Sequence, residues 1–304
     1  MLCILYVNAV GLVLGIMGRM IERSLPATLA RRWVWCLVIP LSLFLPGYYR
    51  SHHAAPVADA SLPALADGFW ARIDAFDPTI NRVWFIGSAM LVLWTLTSAG
   101  WVSHIVLRSR AGRGRQGGPA VVDGVPVVVT DSLGPATLGL WRASVLLPRW
   151  VLALPETQRQ YVVRHEEEHR KAHDGQLLFF TSLLLIVVPW NIALWWQLRR
   201  LSLAIEMDCD NRVVNVLGDA PAYGNMLLQI AQAGSRGPRL QPALLGGVGT
   251  LEQRLTMLMA PAQLRLAQRL ALSAAVAALL FVVLAMPHPV IAKSHAHVTA
   301  SAAP

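Results

Sequence analysis

Long apolar runs alternate with polar stretches along this chain of 304 residues, at residues 1–18, 33–47, 83–107, 177–197 and 268–286. A membrane-spanning helix needs about 20 mainly apolar residues to cross a hydrocarbon layer of about 30 Å. Each run except the second approaches that length, and the second is short and contains Pro40 and Pro46. The pattern therefore predicts about four transmembrane helices.

A different pattern fills the region between the third and fourth runs. Two stretches rich in β-branched residues, AVVDGVPVVVTD and ATLGLWRASVLLP, are separated by a Gly-Pro turn and predict a small sheet. Pro155 and Glu156 then open a helical pattern that continues through Tyr161 and Val163 to His165. We therefore expect an α+β region with a helix at its end.

Composition supports a membrane protein, because 55% of the residues are hydrophobic and only 14% are charged. The net charge of +9 comes from Arg residues that often flank the apolar runs, so membrane lipid is a better partner for them than nucleic acid. Cys3, Cys36 and Cys209 show no paired spacing, and we expect free thiols.

Basic residues also predict the orientation. The first connection contains Arg19, Arg23, Arg31 and Arg32, whereas residues 48–82 mix Arg with several Asp residues. Loops rich in Lys and Arg stay in the cytoplasm, so the first connection is expected inside and residues 48–82 outside. By the same rule the large middle region is cytoplasmic.

The segment RHEEEHRKAHD carries the strongest chemical signal. His165 and His169 are four residues apart, so on a helix both imidazoles project from one face and bind one zinc ion, while Glu166 acts as general base on a zinc-bound water. The structural alternative is a solvated charged face, because Glu167 and Glu168 occupy the two intervening positions.

A third ligand is expected from IEMDCDNRVV, a polar cluster inside another helical pattern. Glu206 and Asp210 share one helix face, so Glu206 would bind the metal while Asp210 supports a ligand histidine as a hydrogen-bond acceptor. An acidic solvated face is the alternative. If residues 177–197 crossed the bilayer once, Glu206 and His165 would lie on opposite sides, so the run must either bend back, for which Pro189 is suitable, or lie within the fold.

The combination of HEEEHRKAHD, EMDCD, TLGLWRASVLLP and LEQRLTMLM resembles the transmembrane metallopeptidases of the BlaR/MecR-type β-lactam sensor-transducers, over about residues 80–290. The resemblance implies that His165, His169 and Glu206 are zinc ligands, that Glu166 is the base and that Asp210 is the Asp of the second motif. It also implies a signalling protease whose action removes a cytoplasmic DNA-binding repressor. Sensor members carry a penicillin-binding domain after the last helix, so we do not expect direct β-lactam sensing here.

We therefore expect a mainly α, multi-pass protein of the bacterial inner membrane with a gluzincin-like α+β zinc peptidase domain facing the cytoplasm. The expected organisation is transmembrane helices over 1–107 with an outer loop at 48–82, a peptidase domain over 108–267 that includes the re-entrant or buried segment 177–197, a last span at 268–287 and an outer tail at 288–304. A non-catalytic zinc-stabilised transducer or scaffold is the alternative, and a transporter is a weaker one. The substrate, the stimulus and the oligomeric state stay open.

Overall fold

The computed structural model describes residues 2–25, 30–52, 77–110, 119–130, 134–234, 249–259 and 266–285. Most of the expected outer loop and the whole expected outer tail lie outside these residues. The described residues are mainly helical, which confirms the fold class at that level.

The elements follow one another in an order that places a small sheet between two groups of helices. The N-terminal helices are α1 (Leu2–Ser24), α2 (Arg32–His52) and α3 (Asp77–Arg110). The strands are β1 (Pro119–Val122), β2 (Val125–Thr130), β3 (Ala136–Leu138) and β4 (Ser144–Pro148). The remaining helices are α4 (Arg149–Leu152), α5 (Glu156–Ala172), α6 (Asp174–Val187), α7 (Ile192–Leu217), α8 (Ala220–Gly234), α9 (Gly249–Met259) and α10 (Leu266–Ala285).

Two of these helices contain segments long and apolar enough to cross a bilayer by length and composition, Ile4–Ser24 in α1 and Asn81–His104 in α3. Shorter apolar stretches occur in α2, α6 and α10. Within the described residues, two spans therefore meet that criterion where the sequence pattern predicts about four.

Helix α7 joins two apolar cores. Its N-terminal half packs with α1, α2 and α6 around Trp35, Leu194 and Leu198, which are almost completely buried, and α10 joins the same core through Val283. Its C-terminal half contributes Cys209 and Val213 to a second core beneath the sheet. A single helix thus carries polar residues from the helical bundle into the region that contains the sheet.

The small sheet has the strand order β1-β2-β4-β3, as expected for its region of the chain. The two central strands, β2 and β4, pair in parallel. At the edges, β1 pairs antiparallel with β2, and β3 pairs antiparallel with β4. Val145 and Leu147 of β4 point into the second core beside Val162 and Val163 of α5. This packing fixes α5 against the sheet and places β3 as an edge strand near it.

The apolar run 177–197 reverses direction, as the sequence argument required. Helix α6 ends at Val187 and α7 begins at Ile192, with Pro189 in the turn between them. Backbone groups at this turn have protein partners: Trp84 donates to the Val187 carbonyl at 2.9 Å, and Asn8 accepts from the Ile192 amide at 2.9 Å. These hydrogen bonds give partners to backbone groups that the ends of the two helices leave without one.

Candidate metal centre

Helix α5 presents two imidazoles on one face. The Nε2 atoms of His165 and His169 lie 3.2 Å apart, and both side chains are largely buried. Their spacing of four residues produces this geometry directly, because residues at i and i+4 are stacked on the same side of a helix. The predicted helical pair is therefore present.

Glu206 of α7 places its carboxylate next to these two Nε2 atoms. Its carboxylate oxygens lie 3.5 Å from Nε2 of His165 and 3.7 Å from Nε2 of His169. Ligand atoms placed about 2.0–2.1 Å from a tetrahedral zinc ion are separated by about 3.3 Å. The three side chains thus lie close to the spacing of a three-ligand zinc site, although they belong to two helices, α5 and α7, that are separated in sequence by α6 and the reversing turn.

His169 is oriented by Asp174, the first residue of α6. Its Nδ1 atom lies 2.9 Å from the Asp174 carboxylate, which is only 2% exposed. Asp174 comes so close because His173, with φ of 56°, turns the chain sharply between α5 and α6. From the sequence alone, Asp174 and His173 are residues that follow the motif closely and could tune the site. His173 itself is exposed and serves as this turn.

His165 is oriented through Tyr223 of α8. The Tyr223 hydroxyl lies 2.9 Å from Nδ1 of His165 and donates to the Asp210 carboxylate at 2.7 Å. Asp210 is 3.6 Å from the same Nδ1, so the direct support predicted from sequence is replaced by a relay through the phenol. Nε2 of His165 is the ring nitrogen that faces Glu206 and His169, so it is the nitrogen available to a metal ion when Nδ1 carries the proton.

Arg254 of α9 ties the acidic side of the site together. It donates to both oxygens of Asp210, at 2.7 and 2.8 Å, and its Nη1 lies 2.9 Å from Glu206. Burial would raise the pKa of Glu206, but Arg254 and the two histidines lower it far below the usual range. Glu206 is therefore an anion at neutral pH, as a carboxylate ligand must be.

The pKa values of the supporting groups are also displaced. Burial, followed by the neighbouring Asp210, raises the pKa of the Tyr223 hydroxyl well above its ordinary value, so it stays a phenol that donates to Asp210. Burial would lower the pKa of His169, but Cys209 and Asp174 raise it well above its ordinary value. Metal binding at His169 must therefore displace a proton.

Cys209 is a further candidate metal ligand, and it would supply a sulfur atom. Its Sγ lies 3.3 Å from Nδ1 of His165, and ligand atoms of Cys209, His165 and His169 all lie within 4.8 Å of one another. Burial would raise the pKa of this thiol, yet the two histidines lower it. Cys209 nevertheless approaches the Nδ1 side of His165, whereas Glu206 faces both Nε2 atoms. Cys36 and Cys209 are free, as expected, and the Cys3 side chain lies outside the described part.

Glu166 is held by the edge strand of the sheet. Thr137 of β3 donates both to the Glu166 backbone carbonyl at 2.7 Å and to its carboxylate at 3.1 Å. The Glu166 side chain is buried beside the strand that leads into the β3–β4 loop. This contact holds the predicted base next to the sheet edge. Among the described residues, no cation forms an ion pair with the Glu166 carboxylate.

The donor set suits zinc. Two neutral imidazoles and one carboxylate are the ligands of many catalytic zinc sites, which leave a fourth position for water. The outer hydrogen bonds from Asp174 and Tyr223 match the way in which metal-bound histidines are held in one tautomer. The residues present therefore fit a catalytic zinc ion.

Replacing Tyr223 with Phe is expected to weaken zinc binding by about 10- to 100-fold, because the hydroxyl that orients His165 is removed while the ring remains in the core. Zinc affinity can be measured by competition with a chromophoric chelator. Tyr161→Phe is the matched control, since the Tyr161 hydroxyl donates to the Gly218 carbonyl and not to the site. An unchanged zinc affinity in Tyr223→Phe would contradict this role.

Comparison with known proteins identifies the family to which the chain belongs. The family model described as BlaR1 peptidase M56 matches residues 75–258, which is more than half of the chain. The regulatory protein BlaR1 of Bacillus licheniformis is 27% identical over 104 residues, a stretch that covers 34% of this chain and 17% of that protein. The family match begins before the sheet and includes all the residues of the centre described above. On the breadth of that match, the chain belongs to the BlaR1 peptidase M56 family.

Proposed function

We propose that this protein is a membrane-embedded zinc endopeptidase in which His165, His169 and Glu206 bind the metal and Glu166 is the general base. The observation that carries the proposal is the meeting of two Nε2 atoms of α5 and one carboxylate of α7, 3.2 to 3.7 Å apart, although α6 and the reversing turn separate the two helices in sequence. Membership of a peptidase family supports the same chemistry.

A bound zinc ion would polarise the scissile carbonyl and lower the pKa of water to about 7. The chain's own residues supply the rest. Glu166 would accept the proton of the attacking water on its carboxylate and pass it to the leaving amine. Thr137 holds that carboxylate at 3.1 Å, so the base is oriented before substrate binds.

The proposed orientation is cytoplasmic, and it rests on the position of the Arg-rich connection between α1 and α2. Arg32, at the start of α2, donates to Asp174 at 2.6 Å, and Asp174 in turn contacts His169. The start of α2 and the site therefore lie at the same end of the helices. Because basic connections stay inside, the site is expected to face the cytoplasm.

The proposed substrate is a cytoplasmic protein that presents an extended segment. β3 is an edge strand and contacts Glu166 through Thr137, so a peptide adding to that edge would pass next to the base. The relative from Bacillus licheniformis is named a regulatory protein. We therefore propose a regulatory role, with a DNA-binding repressor as the expected type of substrate.

The experiment is a cleavage assay on the full-length protein in detergent, with a candidate repressor encoded beside it and with a denatured protein as a general substrate. Chelation is expected to remove cleavage, and added zinc is expected to restore it. A parallel sample that receives excess magnesium instead of zinc after chelation shows whether the recovery of cleavage is specific to zinc. Stoichiometric zinc with no turnover on either substrate would contradict the proposal and favour a zinc-stabilised transducer.

A further inference from the structure

The Asp174 carboxylate is shared between the metal centre and the N-terminal helices. One oxygen faces Nδ1 of His169 at 2.9 Å, and the other accepts from the Arg32 guanidinium at 2.6 Å. Arg212 of α7 also approaches Asp174, but at 3.4 Å, and its Nε is committed to Glu168 at 3.1 Å. Arg32 is therefore the nearest cation to the carboxylate that orients His169.

The start of α2 is fixed a second time, through its backbone. The amides of Arg31 and Arg32 donate to the two oxygens of Asp208, at 2.9 and 3.0 Å. Asp208 lies two residues after Glu206 on α7, and it occupies the position of an acidic cap at the beginning of a helix. Both the backbone and the side chain of Arg32 are thus held by groups that neighbour the proposed ligands.

These contacts come from a part of the chain outside the family match. That match begins at residue 75, whereas α1 and α2 end before it. The contacts join α2 to α6 and α7 across more than a hundred residues of sequence. The N-terminal helices consequently complete a site whose other residues all lie within the matched region.

We propose that Arg32 is a positioning residue for the zinc ligand His169, acting through Asp174; this rests on the proposed zinc site. The guanidinium fixes one carboxylate oxygen so that the other accepts the Nδ1–H of His169 and leaves Nε2 directed at the ion. The orientation of His169 thereby depends on where α2 begins. A guanidinium suits this task because its planar set of donors gives a directional hydrogen bond to a carboxylate.

The test measures zinc affinity of the full-length protein in detergent, by competition with a chelator. Arg32→Gln is expected to lower the affinity about tenfold, the lower end of the range for groups that support a metal ligand. The absorption spectrum of the cobalt-substituted protein is expected to change as well, because it reports ligand geometry. Arg23→Gln removes a charge from the same connection at an exposed position and is expected to keep wild-type affinity.

A double-mutant cycle separates this role from a merely structural one. If Arg32 acts through Asp174, Arg32→Gln should change zinc affinity less than about twofold in an Asp174→Asn background. Arg32→Met serves the same cycle if the Gln variant does not fold. Wild-type affinity in either Arg32 variant, or fully additive losses with Asp174→Asn, would overturn the proposal.

The outcomes also distinguish this proposal from the one on which it rests. If the unmodified protein binds no zinc, the proposed zinc site fails, and the role of Arg32 fails with it. If the unmodified protein binds zinc tightly through His169 while the Arg32 variants match it, only the role of Arg32 is overturned.

Discussion

Glu166→Gln is expected to abolish peptide cleavage while zinc remains bound. The amide keeps the shape of the side chain and its contact with Thr137, but it cannot accept the proton of an attacking water. General base catalysis contributes about 10²- to 10⁴-fold to a reaction rate, so kcat should fall by at least about 100-fold. Metal analysis of the same preparation should give the zinc content of the unmodified protein.

The matched control is Glu167→Gln, one residue further along α5. Glu167 forms an ion pair with Arg170 at 2.6 Å, and that pair lowers its pKa. Its carboxylate is therefore engaged away from the metal centre, and kcat should stay within about twofold, since a partly exposed ion pair contributes little. Equal losses in the two variants, or normal turnover in Glu166→Gln, would show that Glu166 is not the base.

Glu206→Gln is expected to lower zinc affinity by more than about 100-fold, beyond the effect of an outer-shell residue. The change removes the anionic ligand and leaves Arg254, which lies 2.9 Å from Glu206, facing the two imidazoles without that counter-charge. A cation beside an empty ligand position repels the incoming metal. Cleavage should be lost at ordinary zinc concentrations and return only partly at high zinc.

The control for this second prediction is Glu252→Gln on α9. Glu252 is exposed, so the substitution removes the same charge from the helix that carries Arg254 without altering the centre. Zinc affinity and turnover are expected to match the unmodified protein. Should Glu206→Gln bind zinc as tightly as Glu252→Gln, the carboxylate would not be a ligand.

Local spacing made part of this centre predictable from the sequence. The i, i+4 positions of His165 and His169 require a shared helix face, and the break near Pro189 follows from the need to bring Glu206 back to the same side. These are constraints that act within a helix or along one stretch of chain. They also predicted the sheet, because its strands alternate over short segments.

The supporting residues were not predictable in the same way. Tyr223, Arg254 and Arg32 reach the centre from three helices whose packing no local pattern specifies. Tyr223 lies in a helical stretch where nothing in the sequence fixes its distance from the metal, and Arg32 is interpreted only as a signal of membrane orientation. For Asp174 the local clue is its position shortly after the motif, whereas the tight turn at His173 that brings it to His169 is seen only in the structure.

The most direct test of the central claim is zinc K-edge X-ray absorption on the purified protein. The account predicts two imidazole nitrogens and oxygen donors at about 2.0–2.1 Å, with no sulfur shell, and the same spectrum in Cys209→Ala. A zinc–sulfur distance of about 2.3 Å that persists in Glu206→Gln and disappears in Cys209→Ala would contradict it, because the metal would then be held by Cys209.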